Sequence, residues 1–290
     1  MRRAICLLFV FVAIACSTST RESSAGARAT TRPADNSIAV MTFNVRYASA
    51  TPPNAWWQRR NVVRECIRKT DPDIFGTQEG LYPQLKDIEA DLEPTYDWIG
   101  LGRDGGSRGE FMSVFYKRDR FDPIEYDHFW LSDTPAVIGS TTWGHSNRRM
   151  VTWVRFLDRA TNKQFYFWNT HFDHQVQPAR EKSAKLVRDR VEAIKTNLPV
   201  ILVGDFNAKA RDNKAYQILT EGNFFSDTYT GEEAGTFHNF RGTPGNQGRI
   251  DWILLRGNVK AAGPTEIIRF HQNGQYLSDH FPVMTRVRLE

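Results

Sequence analysis

Short apolar runs, separated by amphipathic stretches and turn residues, make up the chain from about residue 36 onward. The apolar runs have the length and flanking residues of strands, and they cover residues 37–46, 74–78, 111–116, 151–158, 163–169, 199–205, 250–255 and 281–289. Three stretches with helical character lie between them, at 57–69, 83–92 and 178–196. This mixture predicts a layered α/β protein.

The most informative polar residues directly follow the apolar run 199–203, in the tetrapeptide Gly204-Asp205-Phe206-Asn207. Side chains two residues apart on a strand share one face, so we expect Asp205 and Asn207 to lie side by side. A carboxylate beside a carboxamide is suited to holding a hard cation and a phosphoryl oxygen. The same tetrapeptide is also good turn chemistry, and the tetrapeptide alone leaves both interpretations open.

Five further polar clusters lie at or next to the ends of predicted strands, and they are Thr42–Arg46, Gln78-Glu79, Asn169–His174, Gly248–Trp252 and Ser278–His280. Each has a structural explanation when taken alone: Asn44 as a turn cap, Glu79 as a surface acid, His171 as an interior histidine. Together, two His, several carboxylates and three Asn at strand ends are what metal-assisted phosphoester hydrolysis requires.

The order of these motifs resembles the endonuclease/exonuclease/phosphatase superfamily over residues 37–290. The matching positions are Asn44, Gln78-Glu79, Glu110, Asn169-X-His171, Gly204-Asp205-X-Asn207, Asp251 and Ser278-Asp279-His280. The resemblance is to secreted bacterial members nearest the nocturnin-like deadenylases. It implies a DNase I-like, four-layer α/β sandwich, in which two central mixed β-sheets are flanked by helices and the site lies at their top edge.

The resemblance also implies a metal site. Glu79 corresponds to the main Mg²⁺ ligand, with Asn44 nearby and Asp279 as a second oxygen contact. A sparse set of oxygen ligands fits Mg²⁺, with Mn²⁺ as a substitute, better than Zn²⁺.

Two histidines take the proton-transfer roles in the resemblance. His280 corresponds to the histidine that activates water or clamps the phosphate, with Asp251 as its partner. His171 corresponds to the second histidine, oriented by Glu110. The sequence leaves open which histidine is the acid and which the base, and Asp205 is a rival for the base.

Phosphate binding is expected from four residues. The resemblance implies that Asp205 and Asn207 orient the nucleophile and bind phosphoryl oxygens, and that Asn169 binds phosphate as well. Arg149, in Asn147-Arg148-Arg149, is a further candidate because a guanidinium fork suits anionic oxygens. The alternative for this tripeptide is a solvated turn.

Two neighbouring features have two interpretations each. Asp173-His174 forms either a second cation site or a hydrogen-bonded loop. The aromatic residues of 129–135, with Trp143, form either a rim that stacks on the substrate or part of the core.

The first residues predict export. Arg2 and Arg3 precede an uncharged stretch from Ala4 to Ala15, so residues 1–15 are typical of a signal peptide. Cys16 follows and resembles the lipidated cysteine of a bacterial lipoprotein; ordinary cleavage after residue 15 or 27 is the alternative. Residues 16–36 are predicted to be a flexible tether, and 37–290 a single catalytic domain.

The charge of the chain bears on nucleic-acid binding, and its cysteine content bears on disulfide formation. Residues 1–35 hold five Arg and two acids, so they carry +3 of the net +5 and leave +2 for the rest. A body this close to neutral does not favour tight, non-specific nucleic-acid binding. Cys66 is the one cysteine of the body, so no disulfide forms within it, and we expect a buried thiol.

We therefore expect a monomeric, Mg²⁺-dependent phosphoester hydrolase, membrane-anchored, periplasmic or secreted. The first expectation is a phosphodiesterase that acts on nucleic acid or nucleotides outside the cytoplasm. The alternatives are a hydrolase of sugar phosphates, inositol phosphates or phospholipid head groups, and a non-catalytic binding module with the same fold.

Overall fold

The structure is a computed structural model, and it describes residues 36–290. The strands of this part are β1 Ile38–Asn44, β2 Ile74–Gln78, β3 Gly80–Leu81, β4 Tyr96–Ile99, β5 Glu110–Phe111, β6 Val114–Lys117, β7 Phe121–Trp130, β8 Met150–Asp158, β9 Lys163–His171, β10 Val200–Asp205, β11 Ser226–Asp227, β12 Asp251–Arg256, β13 Val259–Ala261, β14 Glu266–Ile267, β15 His271–Gln272, β16 Gln275–Tyr276 and β17 Val283–Leu289. The α-helices are α1 Trp56–Thr70, α2 Tyr82–Leu92, α3 Gln177–Ala193 and α4 Lys214–Thr220, and a short 3₁₀ turn spans Glu221–Asn223.

Two large mixed sheets form the centre. The first has the order β13-β17-β1-β2-β6-β4, with β14 paired to β17, and the second has the order β11-β12-β10-β9-β8-β7. Each sheet contains one parallel pair, β1 with β2 and β9 with β10, among antiparallel neighbours. Strands β1, β2 and β10 are buried along their whole length, which explains why they read as continuous apolar runs.

Three apolar layers hold these elements together. The middle layer joins the two sheets, for example through Val40 of β1 and Phe167 of β9. A second packs α1 and α2 on the outer face of the first sheet, and a third packs α3 and α4 on the outer face of the second. The order helices, sheet, sheet, helices confirms the predicted four-layer α/β sandwich.

Two of the strands that the sequence did not predict, β7 and β4, lie at edges of the large sheets. Phe121–Trp130 forms the edge strand β7, in which residues 124–127 are exposed and a register shift lies between Pro123 and Glu125. Its outer residues therefore lack the alternation that marks a half-buried strand. The short β4 was missed because it has four residues and only its first is fully buried. The predicted strand 111–116 is divided between β5 and β6.

The structure settles the burial of two features of the sequence, the aromatic residues at 129–130 and the thiol of Cys66. Phe129, Trp130 and Leu131 are buried, so the aromatic residues of this stretch belong to the core rather than to a rim. Cys66 is buried on α1 and free, and burial raises the pKa of its thiol to about 12.

The predicted signal peptide 1–15, the lipidated Cys16 and the tether as far as residue 35 lie outside the described residues. Within residues 36–290, none of the helices combines the length and the apolar character needed to span a bilayer.

Candidate active site

The ends of five strands meet at one edge of the sandwich. Parallel pairing places the carboxyl ends of β1 and β2 together, with Asn44 opposite Gln78. In the second sheet, Asp205 at the end of β10 lies opposite His171 on one side and Asp251 on the other. Each register therefore gathers polar residues at this edge, and a hydrogen bond from Asn44 to Asp205 joins the two sheets across 161 positions of the chain.

Three of these side chains form a compact group. Glu79, Asp205 and His280 each offer a ligand atom, and these atoms lie within 4.8 Å of one another. Burial raises the pKa of Asp205 to about 7, with the neighbouring Asp251 adding to the shift. Glu79 is also buried, but hydrogen bonding from Asn44 and the charge of His280 bring its pKa below the usual range. The two carboxylates of this group, in a polar cavity, fit a divalent cation.

Asn44 holds this group rather than extending it. Its Nδ2 donates to Oε1 of Glu79 and to Oδ2 of Asp205, at 3.0 Å in both cases. Its Oδ1 accepts from the backbone N–H of Arg46 at 2.9 Å, which fixes the amide in this orientation. In the structure Asn44 therefore holds two candidate ligands in place through its amide N–H groups, and its oxygen is not itself a ligand.

Asp279 lies beside the group but outside it. Nη1 of Arg46 is 3.5 Å from Oδ2 of Asp279 and 3.6 Å from Oε2 of Glu79. The guanidinium thus bridges the two carboxylates that were both predicted to contact the metal. The sequence analysis gave Arg46 no role beyond its place in the cluster Thr42–Arg46.

The predicted pairing of His280 with Asp251 is present. Nδ1 of His280 lies 3.0 Å from Oδ2 of Asp251, and Nε2 lies 3.7 Å from Oδ2 of Asp205. Burial alone would lower the pKa of His280, but the carboxylates of Asp251 and Asp205 raise it to about 10. The imidazole is therefore held in one orientation, with Nε2 facing the group of ligand atoms.

His171 has a different partner from the one predicted. Its Nε2 lies 3.0 Å from Nδ2 of Asn207 and 3.4 Å from Oδ2 of Asp205. Glu110 does not orient it: among the described residues Nδ1 of His171 has no hydrogen-bond partner, and Glu110 instead accepts from Nη1 of Arg103 at 2.6 Å. Burial, followed by the charges of Arg149 and other cations, lowers the pKa of His171 well below its ordinary value.

Asn207 reaches the site through a turn, not through strand periodicity. Strand β10 ends at Asp205, and Asn207 has a φ of 46°. Its backbone N–H donates to Oδ1 of Asp205 at 2.9 Å, while its side chain also donates to the carbonyl of Phe172. Gly204-Asp205-Phe206-Asn207 is therefore both a turn and part of the site.

Asn169 is not available to a phosphate. Its Nδ2 donates to the carbonyls of Thr77 and Ser113, its Oδ1 accepts from Nε2 of Gln78, and the residue is fully buried. It joins the two sheets beneath the site, which corrects the predicted phosphate-binding role.

Arg149 is buried at the site and only partly satisfied. Its Nη2 lies 3.1 Å from Nδ1 of His174, and its Nε lies 3.8 Å from a carboxylate oxygen of Asp173. Among the described residues, Nε and Nη1 have no hydrogen-bond partner. A buried guanidinium with unused donors is arranged to receive an anion.

Asp173-His174 forms the hydrogen-bonded loop rather than a second cation site. Oδ1 of Asp173 accepts from the backbone N–H groups of Gln175 and Val176, just before α3. Within residues 36–290, the one group of three or more metal-ligating side chains is Glu79, Asp205 and His280.

These residues line a cavity of about 590 Å³. Its wall is formed by Arg46, Tyr47, Glu79, Arg103, Glu110, Asn147, Arg149, His171, His174, Asp205, Asn207, Ala208, Lys209, Asn213, Phe237, Gln247, Ile250 and His280. Arg103 begins the Gly-rich, basic segment 103–110, for which the sequence leaves open a place in the pocket wall or a plain connector. The structure places Arg103 in the wall, where it forms an ion pair with Glu110.

Comparison with known proteins agrees with this geometry. Residues 41–280 match the Endonuclease/Exonuclease/phosphatase family. Among solved structures, the chain is similar to the mannosyl-6-phosphatase Bt3783 of Bacteroides thetaiotaomicron VPI-5482, with 33% identity and a TM-score of 0.80 over 87% of this chain and 99% of that one. The endonuclease/exonuclease/phosphatase from Bacteroides vulgatus has 33% identity to this chain and a TM-score of 0.80, over 88% of this chain and 99% of that one.

Two further similarities are lower in sequence identity. The catalytic domain of human nocturnin has 17% identity and a TM-score of 0.67 over 88% of this chain and 95% of that one. Uncharacterized protein L388 of Acanthamoeba polyphaga mimivirus is 29% identical over 248 residues, covering 79% of this chain and 91% of that protein. The chain therefore belongs to the endonuclease/exonuclease/phosphatase family, whose members are metal-dependent, hydrolytic phosphoesterases.

Proposed function

We propose that the protein is a Mg²⁺-dependent phosphatase that removes phosphate from a small phosphorylated sugar. The observation that carries this proposal is Arg149, which is buried in the cavity wall with two donor nitrogens unpartnered among the described residues. A phosphate oxygen would supply the missing acceptor, and hydrogen bonds between ions are stronger than neutral ones. Arg103 adds a second guanidinium to the same cavity.

Glu79 and Asp205 would hold the cation, and Asn44 would keep their carboxylates in place. Two carboxylate oxygens leave room for the several waters that Mg²⁺ retains, and Mn²⁺ fits the same donors. When bound, the ion would polarise the phosphoryl group and offset charge that develops on its oxygens.

The remaining residues bind the phosphoryl group and orient the histidines beside it. Asp251 fixes His280 so that Nε2 faces the cavity, where it can hold or transfer a proton at a phosphoryl oxygen. The amide of Asn207 directs its Nδ2 to the carbonyl of Phe172 and to Nε2 of His171, so it positions the imidazole of His171 beside Asp205. Preorganised donors such as His280 and the guanidinium of Arg149 stabilise the charge of the transition state.

The size and charge of the cavity favour a small substrate. A volume of about 590 Å³ lies in the range of small-molecule sites, and the domain carries a charge of about +2, which is weak for a polyanion ligand. The 33% identity to a mannosyl-6-phosphatase supports a sugar phosphate in particular. These points favour a sugar phosphate over the nucleic acid expected first.

The test is a panel of substrates with purified protein in Mg²⁺: hexose 6-phosphates, inositol phosphates, a phosphodiester, DNA and RNA. We expect the highest kcat/KM with a hexose phosphate and loss of turnover in excess chelator. A higher kcat/KM with DNA or RNA would contradict the sugar-phosphate proposal, and turnover in chelator would contradict the metal requirement.

A matched pair of variants tests the role of Arg149. Arg149→Lys should lower kcat/KM about 10- to 100-fold, because a point charge does not replace the guanidinium fork. Arg148→Lys is the control, since Arg148 lies outside the cavity wall and pairs with Asp104. Equal effects of the two variants would contradict a specific contact at Arg149.

We also propose that the protein acts after export and is held by a lipid on Cys16. The uncharged stretch after Arg2-Arg3 and the small residues before Cys16 support this proposal. The mass of the mature protein tests it: a form that begins at Cys16 and carries acyl chains is expected, and an unmodified mature N-terminus would contradict the anchor.

A further inference from the structure

The cavity has a buried inner part and an open outer part. The reacting groups of Asp205, His171 and His280 are 1%, 2% and 5% exposed, whereas Asn147 is half-buried and Gln247 is exposed. A phosphate that reaches the inner groups must therefore leave the rest of its substrate beside the outer wall.

The outer wall contains two neutral carboxamides that lack hydrogen-bond partners within residues 36–290. The side chains of Asn147 and Gln247 make no hydrogen bond to any described residue. Two other polar side chains of the wall have partners: Lys209 pairs with Asp212 at 3.1 Å, and Asn213 caps α4 and binds Gln177.

The two amides enter from opposite sides of the reaction centre. Asn147 precedes β8 and Gln247 precedes β12, and these strands flank β9 and β10, which carry His171 and Asp205. Three strand spacings separate β8 from β12, which is about 14 Å. The amides thus face the space above the inner groups from two directions.

A carboxamide matches a hydroxyl group well. Its N–H groups donate and its oxygen accepts, and a hydroxyl can do both in return. A second phosphate or a nucleic-acid backbone would instead call for cations at these positions. Arg148 directly follows Asn147 in the chain, and its guanidinium already contacts Asp104 and donates to the carbonyl of Gly139.

We propose that Asn147 and Gln247 are specificity-determining residues that bind the hydroxyl groups of the sugar while its phosphate occupies the inner cavity. This assignment rests on the proposed phosphatase function. It distinguishes a polyhydroxylated leaving group from an apolar one, because the two amides add nothing to the binding of a group without hydroxyls.

The experiment compares mannose 6-phosphate with phenyl phosphate, whose leaving group forms no network of hydroxyls. Asn147→Ala and Gln247→Ala should each lower kcat/KM for mannose 6-phosphate about 5- to 10-fold, the value of one hydrogen bond. Both variants should stay within about twofold of the wild type on phenyl phosphate. Asn258→Ala, an exposed amide in the turn after β12, is the matched control and should change neither value.

The outcomes separate this assignment from the proposed function. A wild-type enzyme that hydrolyses mannose 6-phosphate, with variants that lose nothing or lose equally on both substrates, would overturn the role of the two amides and leave the phosphatase intact. A wild-type enzyme that hydrolyses other phosphoesters but no hexose phosphate would overturn both.

Discussion

At the scale of single residues, the site depends on side chains that position other side chains. Asp251 touches His280, and Asn44 touches both Glu79 and Asp205. Neither needs to contact the substrate, but each decides where a reacting or ligating atom lies. Supporting contacts of this kind are commonly worth as much as a direct one.

Asp251→Asn should lower kcat about 10²- to 10⁴-fold, because the amide no longer fixes the orientation and charge of His280. The measurement is steady-state kinetics at saturating Mg²⁺ together with thermal unfolding. Unchanged kcat in a folded variant would contradict the assigned pairing.

Asn44→Ala should weaken metal binding about 10- to 100-fold, because Glu79 and Asp205 lose the amide that holds them apart. The dependence of the rate on Mg²⁺ concentration measures this, and titration calorimetry with Mg²⁺ gives a readout that is independent of turnover. A variant that binds Mg²⁺ with the affinity of the wild type would show that the hydrogen bonds of Asn44 have no role in metal binding.

At the scale of elements, the strands are better predicted than the contacts at their ends. Buried runs such as β10 are recognisable because they are apolar throughout, whereas β7 is an exposed edge and was missed. Glu79 lies in the candidate metal group, and the predicted contact between His280 and Asp251 is present. Asn169 was not placed correctly, because sequence cannot tell whether an amide at a strand end points to the cavity or to the other sheet.

Asn169→Leu should destabilise the fold by about 2–4 kcal/mol, because two buried carbonyls and the amide of Gln78 lose their partner. Denaturant unfolding measures this loss, with Asn258→Ala as the exposed control. A variant as stable as the wild type would contradict the inter-sheet role.

Gly76 belongs to the same contact. A Cβ at this position would lie 2.6 Å from Cγ of Asn169 and 2.7 Å from Cγ2 of Val203. The absence of a side chain on β2 is therefore what lets the amide cross from one sheet to the other.

At the scale of the whole molecule, stability should depend on pH through buried imidazoles. His238 is buried against the ring of Phe281, and its Nδ1 accepts from the backbone N–H of Gly242. Burial, followed by the charge of His280, lowers the pKa of His238 to about 4. Burial likewise lowers the pKa of His128 to about 4.

The unfolded chain binds a proton at these positions near pH 6.5, well before the folded chain does. The contribution of these two histidines to the free energy of unfolding should therefore fall as the pH decreases from about 6.5 to about 4, whereas Asp205, whose pKa is raised to about 7, contributes with the opposite sign. His238→Gln should reduce this slope without abolishing it, since His128 titrates in the same window. Denaturant unfolding at a series of pH values measures both slopes, and equal slopes would contradict the assignment to His238.

The residues of the candidate site come from both sheets: Asn44 ends β1 and Glu79 follows β2 in the first, while His171, Asp205 and Asp251 belong to the second. A folding intermediate with each sheet formed but the two still undocked would contain every one of these groups and have no catalytic power. Enzyme activity is thus a reporter of interlayer docking. In refolding experiments its return should lag behind that of the far-ultraviolet circular dichroism signal.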